Sequence, residues 1–382
     1  MRFDFSTSNQ IIFGPGVVAD VPALALNLGH RVFIVHDRTR FAPIIENLKS
    51  SGLACLPYPV QGEPTAQSVL IALNAARAWE SDLVIGMGGG STLDTGKAIC
   101  MLLTNPGNLL DYLEIIGSGK LIEKPSSPFI AIPTTAGTGS EVTRNAVIGI
   151  PEHHLKVSLR SPYMLPRYAI IDPEMTFSLP PDVTAQTGLD ALTQLIEPFV
   201  CSSPTPLTDA MCREGIPLIA KSLLAAFKNE QNSSAREDMS LASMFGGMAL
   251  ANARLGAVHG LASPVGGMIP APHGAIVARL LPIVMDANLV ALNNIQPGST
   301  NIARYVEVAR MLTGNESAIP KDGVDWIWGI CSEMKIRPLS EFGLMTSHFP
   351  SIIDQANKSS SMKGNPVTLT AIELTMILEK AI

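Results

Sequence analysis

The sequence predicts an α/β domain with a parallel sheet over residues 1–178, followed by an all-helical domain over residues 179–382. Three observations carry this reading. In the first half, short β-rich runs alternate with helical patterns, which implies a parallel sheet covered by helices. After IIDPEMTFSLPPDV (170–183) the strand signals stop, and the chain reads as Ala/Leu/Met-rich helices. Between the two halves, Pro180 and Pro181 stiffen the connection and disfavour continuing either kind of element.

Three runs mark the strands in order. RVFIVHD (31–37) closes on Asp37, DLVIGMGGGS (82–91) closes on glycines, and PFIAIPTTAGTGSE (128–141) closes on a Gly/Thr loop. In the second half, GLDALTQLIEPF (188–199) repeats Leu189, Leu192, Leu195 and Ile196 at helical spacing. Segments such as CSSPTPLTD (201–209) break the helices apart. No internal repeat or low-complexity tract is visible.

The totals exclude several functional classes. A chain of 382 residues most economically makes two domains, and 46% hydrophobic against 16% charged residues leaves material for both cores. The formal charge is −6 and no basic run of five or more occurs, so there is no electrostatic footprint for nucleic acid. The start, MRFDFSTSNQ, lacks a basic region leading into an apolar one, and prolines or charges interrupt the long apolar stretches. A soluble, cytoplasmic protein with no membrane partner is expected. Five widely spaced cysteines (Cys55, Cys100, Cys201, Cys212, Cys331) contain no C-x-x-C pair and read as reduced packing residues. A metal would therefore need oxygen and imidazole ligands, and the chain has only seven histidines.

GMGGGSTLDTGKA (86–98) follows an apolar strand and opens a helical pattern, so its amides make an anion site at a helix N-terminus. It is neither of two familiar loops. A P-loop would need Gly at 91 and Ser or Thr at 98, where Ser91 and Ala98 stand, and a G-x-G-x-x-G fingerprint from Gly86 also needs Gly at 91. The acidic residue that a dinucleotide's ribose would want, Asp37, precedes these glycines instead of following them. A second loop, PTTAGTGSE (133–141), adds hydroxyls at Thr134, Thr135, Thr138 and Ser140. Either loop alone is equally a tight strand-to-helix turn, and Asp37 alone is equally a helix cap. Two such loops together with Asp37 point to dinucleotide binding.

Asp190 and Gln194 lie four apart on one helix face, as a surface pair or as half of a metal site. The surrounding leucines bury this helix, where an unpaired carboxylate is costly, so the surface pair fits poorly. His259 and His273, fourteen residues apart, are separated by Pro264, Pro270 and Pro272 and so cannot share one unbroken helix. Each is followed by Gly among small or apolar residues, a setting in which a lone His is ordinarily a satisfied core group or a cap. The adjacent His153 and His154 read as a solvated loop pair.

Together the blocks GGGSTLDTGKA, PTTAGTGSEVT, IIDPEMTFSLPPDVTAQTGLDAL, HGLASPVGG through PHG, and GNPVTLTAIE resemble, in order and almost end to end, the iron-containing (group III) alcohol dehydrogenases of the dehydroquinate synthase-like superfamily. The resemblance implies an N-terminal domain binding a nicotinamide dinucleotide, a C-terminal helical domain, and a divalent metal, Fe²⁺ or Zn²⁺, in the cleft between them. It places the metal ligands at Asp190, Gln194, His259 and His273, with a carboxamide where the family has a third imidazole. A carboxamide oxygen is a weaker donor, but three protein ligands suffice for a catalytic metal. It further implies that Gly88, Gly89, Gly90 and Ser91 carry the pyrophosphate, that Asp94, Thr134, Thr135 and Thr138 line the cofactor, and that Lys156 contacts it. Many relatives carry a further His where Ser263 stands, and a serine, unlike imidazole, has no titration near neutral pH with which to serve the usual proton relay.

The implied chemistry is hydride transfer between the nicotinamide and a small alcohol or carbonyl substrate, with Asp190, His259 and His273 holding a metal that acts as a Lewis acid on the substrate oxygen. The rivals are a metal-free reductase of the maleylacetate reductase kind, a dehydroquinate synthase-like lyase, and a binding protein built on a dead enzyme fold. Asp37 predicts NAD over NADP, because its carboxylate would bond the ribose hydroxyls and repel a 2′-phosphate. A homodimer is expected from the family and from the alternating start Arg2, Phe3, Asp4, Phe5, which can pair at a sheet edge.

Overall fold

The structure, a computed structural model, describes residues 2–37, 41–114, 116–153 and 155–382. The chain divides into two compact units, one of Ser6–Thr135 with Gly139–Phe177, the other of Met1–Phe5, Ala136–Thr138 and Ser178–Ile382.

The first unit holds strands β1 (Gln10–Phe13), β2 (Arg31–His36), β3 (Ala54–Pro59), β4 (Leu83–Gly88), β5 (Phe129–Pro133), β6 (Asn145–Ile150), β7 (Leu155–Arg160) and β8 (Tyr168–Ile171). Its helices are α1 (Val21–Leu26), α2 (Ala42–Ser50), α3 (Ala66–Ala78), α4 (Gly90–Thr104) and the single turn α5 (Leu109–Tyr112). Six strands form one parallel sheet in the order β1-β8-β5-β4-β2-β3, and β6 and β7 make a separate antiparallel pair.

Successive residues of each strand point to opposite faces. On β2, Phe33 and Val35 join a core under α3 and α4, while Val32 and Ile34 join another under α1 and α2. Both faces are thus covered, which is why β2, β4 and β5 are continuous apolar runs. The chain reverses its direction of growth between β2 and β4: β3 lies beyond β2 at one edge, and β5 and β8 add on the other side of β4. Such a switch point opens a crevice at the carboxyl ends of the strands. The register His36↔Met87 and Gly88↔Pro133 puts Asp37, the glycine loop and Thr134 side by side at that end.

The second unit is helical: α6 (Pro181–Val200), α7 (Pro206–Lys228), α8 (Ser233–Asn252), α9 (Ala257–Met268), α10 (His273–Ile295), α11 (Thr300–Thr313), α12 (Pro320–Glu333), α13 (Phe349–Lys358) and α14 (Ala371–Ala381). Pro180 is the N-cap and Pro181 the first residue of α6, where a missing N–H costs nothing and the fixed φ is already helical. The two prolines start the helix as much as they end what precedes it. Buried Arg236 holds this start by donating to Thr184 Oγ1 at 2.9 Å and to the Glu230 carbonyl at 3.1 Å.

One expectation needs correcting. Prolines do not keep every apolar stretch below membrane-spanning length, since α10 runs 23 residues through Pro282. Of its most apolar window, 78% is buried inside the protein, so its hydropathy is spent on the helical core. Among the described residues, Arg2 to Phe5 form no strand, and the sheet edge is β1 instead. His153 is exposed at the end of a short 3₁₀ turn, and His154 lies outside the described residues. All five cysteines are free, and all but Cys55 are buried.

Candidate active site

In the α/β unit the glycine loop becomes the N-terminus of α4, with Gly89 as N-cap and no capping side chain. Its first amides are thereby available to an anion. Asp37 Oδ2 accepts the Gly89 N–H at 3.2 Å, joining the end of β2 to this loop. A Cβ on Gly88 would lie 2.4 Å from Thr92 Oγ1 and 2.9 Å from Asp37 Oδ2, so only glycine fits there. Thr134 is fully buried; its N–H bonds the Gly88 carbonyl at 3.0 Å, while its Oγ1 is buried without a hydrogen-bond partner. Thr135 approaches the same loop, with its Cγ2 3.3 Å from where a Gly89 Cβ would stand.

Asp94 is engaged by its own domain. It accepts from Ser140 Oγ at 2.6 Å and from the Val147 N–H at 2.8 Å, and pairs with Lys97 at 3.2 Å. The ammonium of Lys97, fully buried, also donates to the carbonyls of Ser140 and Asn145 and to Thr143 Oγ1. Burial lowers its pKa, against the opposing pull of Asp94 and Glu141. Lys97 and Glu141 went unread in the sequence, although Lys97 ties the helix that opens at the first loop to the end of the second. Lys156, on β7, forms an ion pair with Glu63. Thr138 belongs with the residues of the helical unit.

The second constellation lies wholly within the helical unit. Asp190 and Gln194 sit one turn apart on α6, His259 in the first turn of α9, and His273 at the first position of α10. The break between the histidines falls at Ile269–Pro272, and Pro264 is accommodated inside α9. Each of Asp190, His259 and His273 offers a ligand atom, all within 4.8 Å of one another. Asp190 Oδ1 is 3.4 Å from His259 Nε2 and 3.8 Å from His273 Nε2. Despite this proximity, Asp190 Oδ1 and Gln194 Oε1 are both buried without a hydrogen-bond partner. Two orphaned hard oxygens beside two imidazoles match the donor set of a divalent cation.

The electrostatics agree. Burial opposes ionisation of Asp190, yet His259 and His273 overcome it and hold the carboxyl below its usual range. Burial likewise lowers the pKa of His259, but Glu197 and Asp190 together outweigh it and push the imidazole up to about 10. The site therefore favours positive charge. Sequence reasoning missed Glu197, whose Oε2 lies 2.6 Å from His259 Nδ1. Ser263 lies one turn beyond His259 on α9, half-buried.

Comparisons with known proteins identify the family. Residues 8–173 match the family described as iron-containing alcohol dehydrogenase, and residues 184–382 match the Fe-containing alcohol dehydrogenase family, C-terminal. Alcohol dehydrogenase 4 of Saccharomyces cerevisiae (strain YJM789) is 37% identical over 336 residues, which cover 87% of this chain and 85% of that protein. Among solved structures, a 1,3-propanediol oxidoreductase superposes with a TM-score of 0.92 at 30% identity over the whole of both chains. The sulfoacetaldehyde reductase of Bifidobacterium kashiwanohense, solved in complex with NAD⁺, gives a TM-score of 0.87 at 27% identity, covering 100% of this chain and 99% of that one. With both halves of the chain matched, the protein belongs to the iron-containing alcohol dehydrogenase family.

Proposed function

We propose that Asp190, His259 and His273, with Gln194 beside them, hold the divalent metal with which this alcohol oxidoreductase transfers hydride between a nicotinamide dinucleotide and a small alcohol or its aldehyde. The observation that carries the reading is Asp190 Oδ1, buried and without a hydrogen bond although two imidazole nitrogens stand 3.4 and 3.8 Å away. When bound, a divalent metal supplies Lewis acidity toward the substrate oxygen, and the nicotinamide supplies or accepts the hydride. Asp190 contributes the negative charge, the histidines neutral nitrogens, and Gln194 a neutral oxygen. This donor set suits Fe²⁺ or Zn²⁺.

For the dinucleotide, Gly88, Gly89, Gly90 and Ser91, where β4 runs into α4, carry the pyrophosphate against the first amides of the helix. The buried, unpartnered Thr134 Oγ1 supports a ligand at this loop. Thr135, Thr138, Asp94 and Lys156 complete the cofactor's surroundings, and Asp37 selects NAD over NADP at the ribose. Lys156 pairs with Glu63 and Asp94 with Lys97 inside their domain, so their part is to shape the loops around the cofactor. The division between a cofactor domain, residues 1–178, and a metal- and substrate-binding domain, residues 179–382, follows from this assignment. Five free cysteines fit a reducing, cytoplasmic setting. A homodimer is supported by β1, which among the described residues is an edge strand paired with β8.

Metal analysis of the purified protein, followed by NADH-dependent aldehyde reduction before and after chelation, tests the reading. We expect one divalent metal per chain, with activity lost on chelation and restored by Fe²⁺ or Zn²⁺. Full-rate reduction after exhaustive chelation, with no metal detected, overturns it. A monomer mass in sedimentation at micromolar concentration overturns the dimer.

A further inference from the structure

We infer that Glu197 is the positioning residue of the metal site: its carboxylate holds the proton of His259 on Nδ1 and leaves Nε2, on the Asp190 side of the ring, as the nitrogen free to ligate. The inference rests on the metal reading above and goes beyond it by assigning a residue outside the ligand set.

Glu197 is 5% exposed and belongs to the same helix as Asp190 and Gln194. Positions 190, 194 and 197 follow the four-then-three spacing that keeps side chains on one helix face. One carboxylate oxygen, Oε2, lies 2.6 Å from His259 Nδ1, and the other, Oε1, accepts the Val258 N–H at 2.7 Å. The opposite ring nitrogen, Nε2, is the one 3.4 Å from Asp190 Oδ1. A backbone amide thus donates to one oxygen of a group whose two oxygens are both acceptors when it is a carboxylate, and the other oxygen stands against Nδ1. A carboxamide cannot replace it, because its NH₂ would confront either Val258 N–H or Nδ1–H. If the NH₂ faced Nδ1, the ring would become an acceptor there and carry its proton on Nε2, where a metal must bind. Ligating histidines are commonly oriented in this way by a carboxylate on the far nitrogen.

Gly256 lets the carboxylate come this close, since a Cβ there would lie 2.8 Å from Glu197 Oε1. A second role competes with the first. Glu197 also caps the start of α9, alongside Asn365, whose Oδ1 accepts the Ala257 N–H at 3.1 Å. A purely structural Glu197 would affect stability and leave metal affinity unchanged in the folded protein. Asn365 supplies the control, because it caps the same turn while its side-chain hydrogen bonds run to Ala257, Asn288 and Val367.

The test uses the full chain, stripped of metal, as wild type, Glu197→Gln and Asn365→Ala. Zn²⁺ affinity is read by competition with a chromophoric chelator, and thermal unfolding is recorded on the same samples. We expect Glu197→Gln to lose about 10–100-fold in Zn²⁺ affinity, and Asn365→Ala to lower Tm while keeping wild-type affinity. Unchanged affinity in folded Glu197→Gln, or an equal loss in Asn365→Ala, overturns the inference. Should Glu197→Gln fail to fold, long-range ¹H–¹⁵N spectra of the Zn²⁺-loaded wild type decide instead. A His259 ring with its proton on Nδ1 and the metal on Nε2 is expected, and the reverse overturns the inference. A wild type that binds no Zn²⁺ removes the metal reading and this inference with it, whereas wild-type binding with an indifferent Glu197→Gln removes this inference alone.

Discussion

Oδ1 of Asp190 faces Nε2 of His259 across 3.4 Å, with no hydrogen bond satisfying the buried oxygen. A carboxylate that is fully desolvated and incompletely paired costs stability unless something positive completes its surroundings. Asp190→Ala removes that charge, and we expect the purified variant to fold without metal and without measurable turnover. Metal analysis with kcat checks this; stoichiometric metal in a folded Asp190→Ala protein would place the site elsewhere.

Gln194 stands where the resemblance to the family implies a third imidazole. Its Oε1 is buried and unpartnered one turn from Asp190. Replacing it with imidazole should complete a site of one carboxylate and three nitrogens. Gln194→His is expected to slow metal loss to a chelator by about tenfold, equivalent to roughly 1.4 kcal/mol. Turnover should fall at the same time, since the added ligand occupies a position otherwise open to substrate. Metal loss as fast as in wild type would show that residue 194 points away from the metal.

What the sequence revealed depended on whether the cause was local. β2, β4 and β5 were readable because burial on both faces demands unbroken apolar runs. β3, with sequence ACLPYP, was hidden by Pro57 and Pro59, which it tolerates because among the described residues it is an edge strand paired with β2. Asp190 and Gln194 declared themselves by a four-residue spacing, but the two histidines acquired meaning only through the family's motif order. Glu197 shares their helix face and could have been picked out by its spacing. Its partner, however, is 62 residues away, and no local pattern announces a contact of that range. Lys97 was invisible for the same reason, since its acceptors at Ser140 and Asn145 lie 43 and 48 residues on.

The contact between Asp37 and Gly89 leads to a pair of predictions about the cofactor. Asp37→Gly removes both the carboxylate proposed to face the ribose and its 3.2 Å bond to the loop, so the ratio of kcat/KM for NADH over NADPH should fall by about tenfold or more. Native protein that already uses NADPH as well as NADH would show that Asp37 does not select. Gly88→Ala, by contrast, forces a Cβ against Thr92 and Asp37, and should weaken binding of either dinucleotide in a fluorescence titration while leaving metal content intact. Normal NADH affinity in that variant would remove the loop from the site.

The last prediction concerns Glu141, which ends the second Gly/Thr loop. It is only 3% exposed, and burial pushes its carboxyl up to about 7 against the smaller opposing effects of its own backbone amide and Lys97. The unfolded chain, with an ordinary carboxyl near 4.5, releases this proton earlier than the folded one. Between these two values the folded state binds more protons, so stability is fully present below about 4.5 and is lost as pH rises toward 7. One pKa unit corresponds to about 1.4 kcal/mol, which puts the whole loss at about 3.5 kcal/mol. Glu141→Gln keeps the shape and abolishes the titration. Its Tm should therefore exceed that of wild type at pH 8 by several degrees more than any difference at pH 5. The comparison cancels every other titrating group, because both proteins share them. A Tm difference that stays constant from pH 5 to pH 8 would mean that Glu141 remains ionised in the folded protein, with Lys97 as its effective counter-charge.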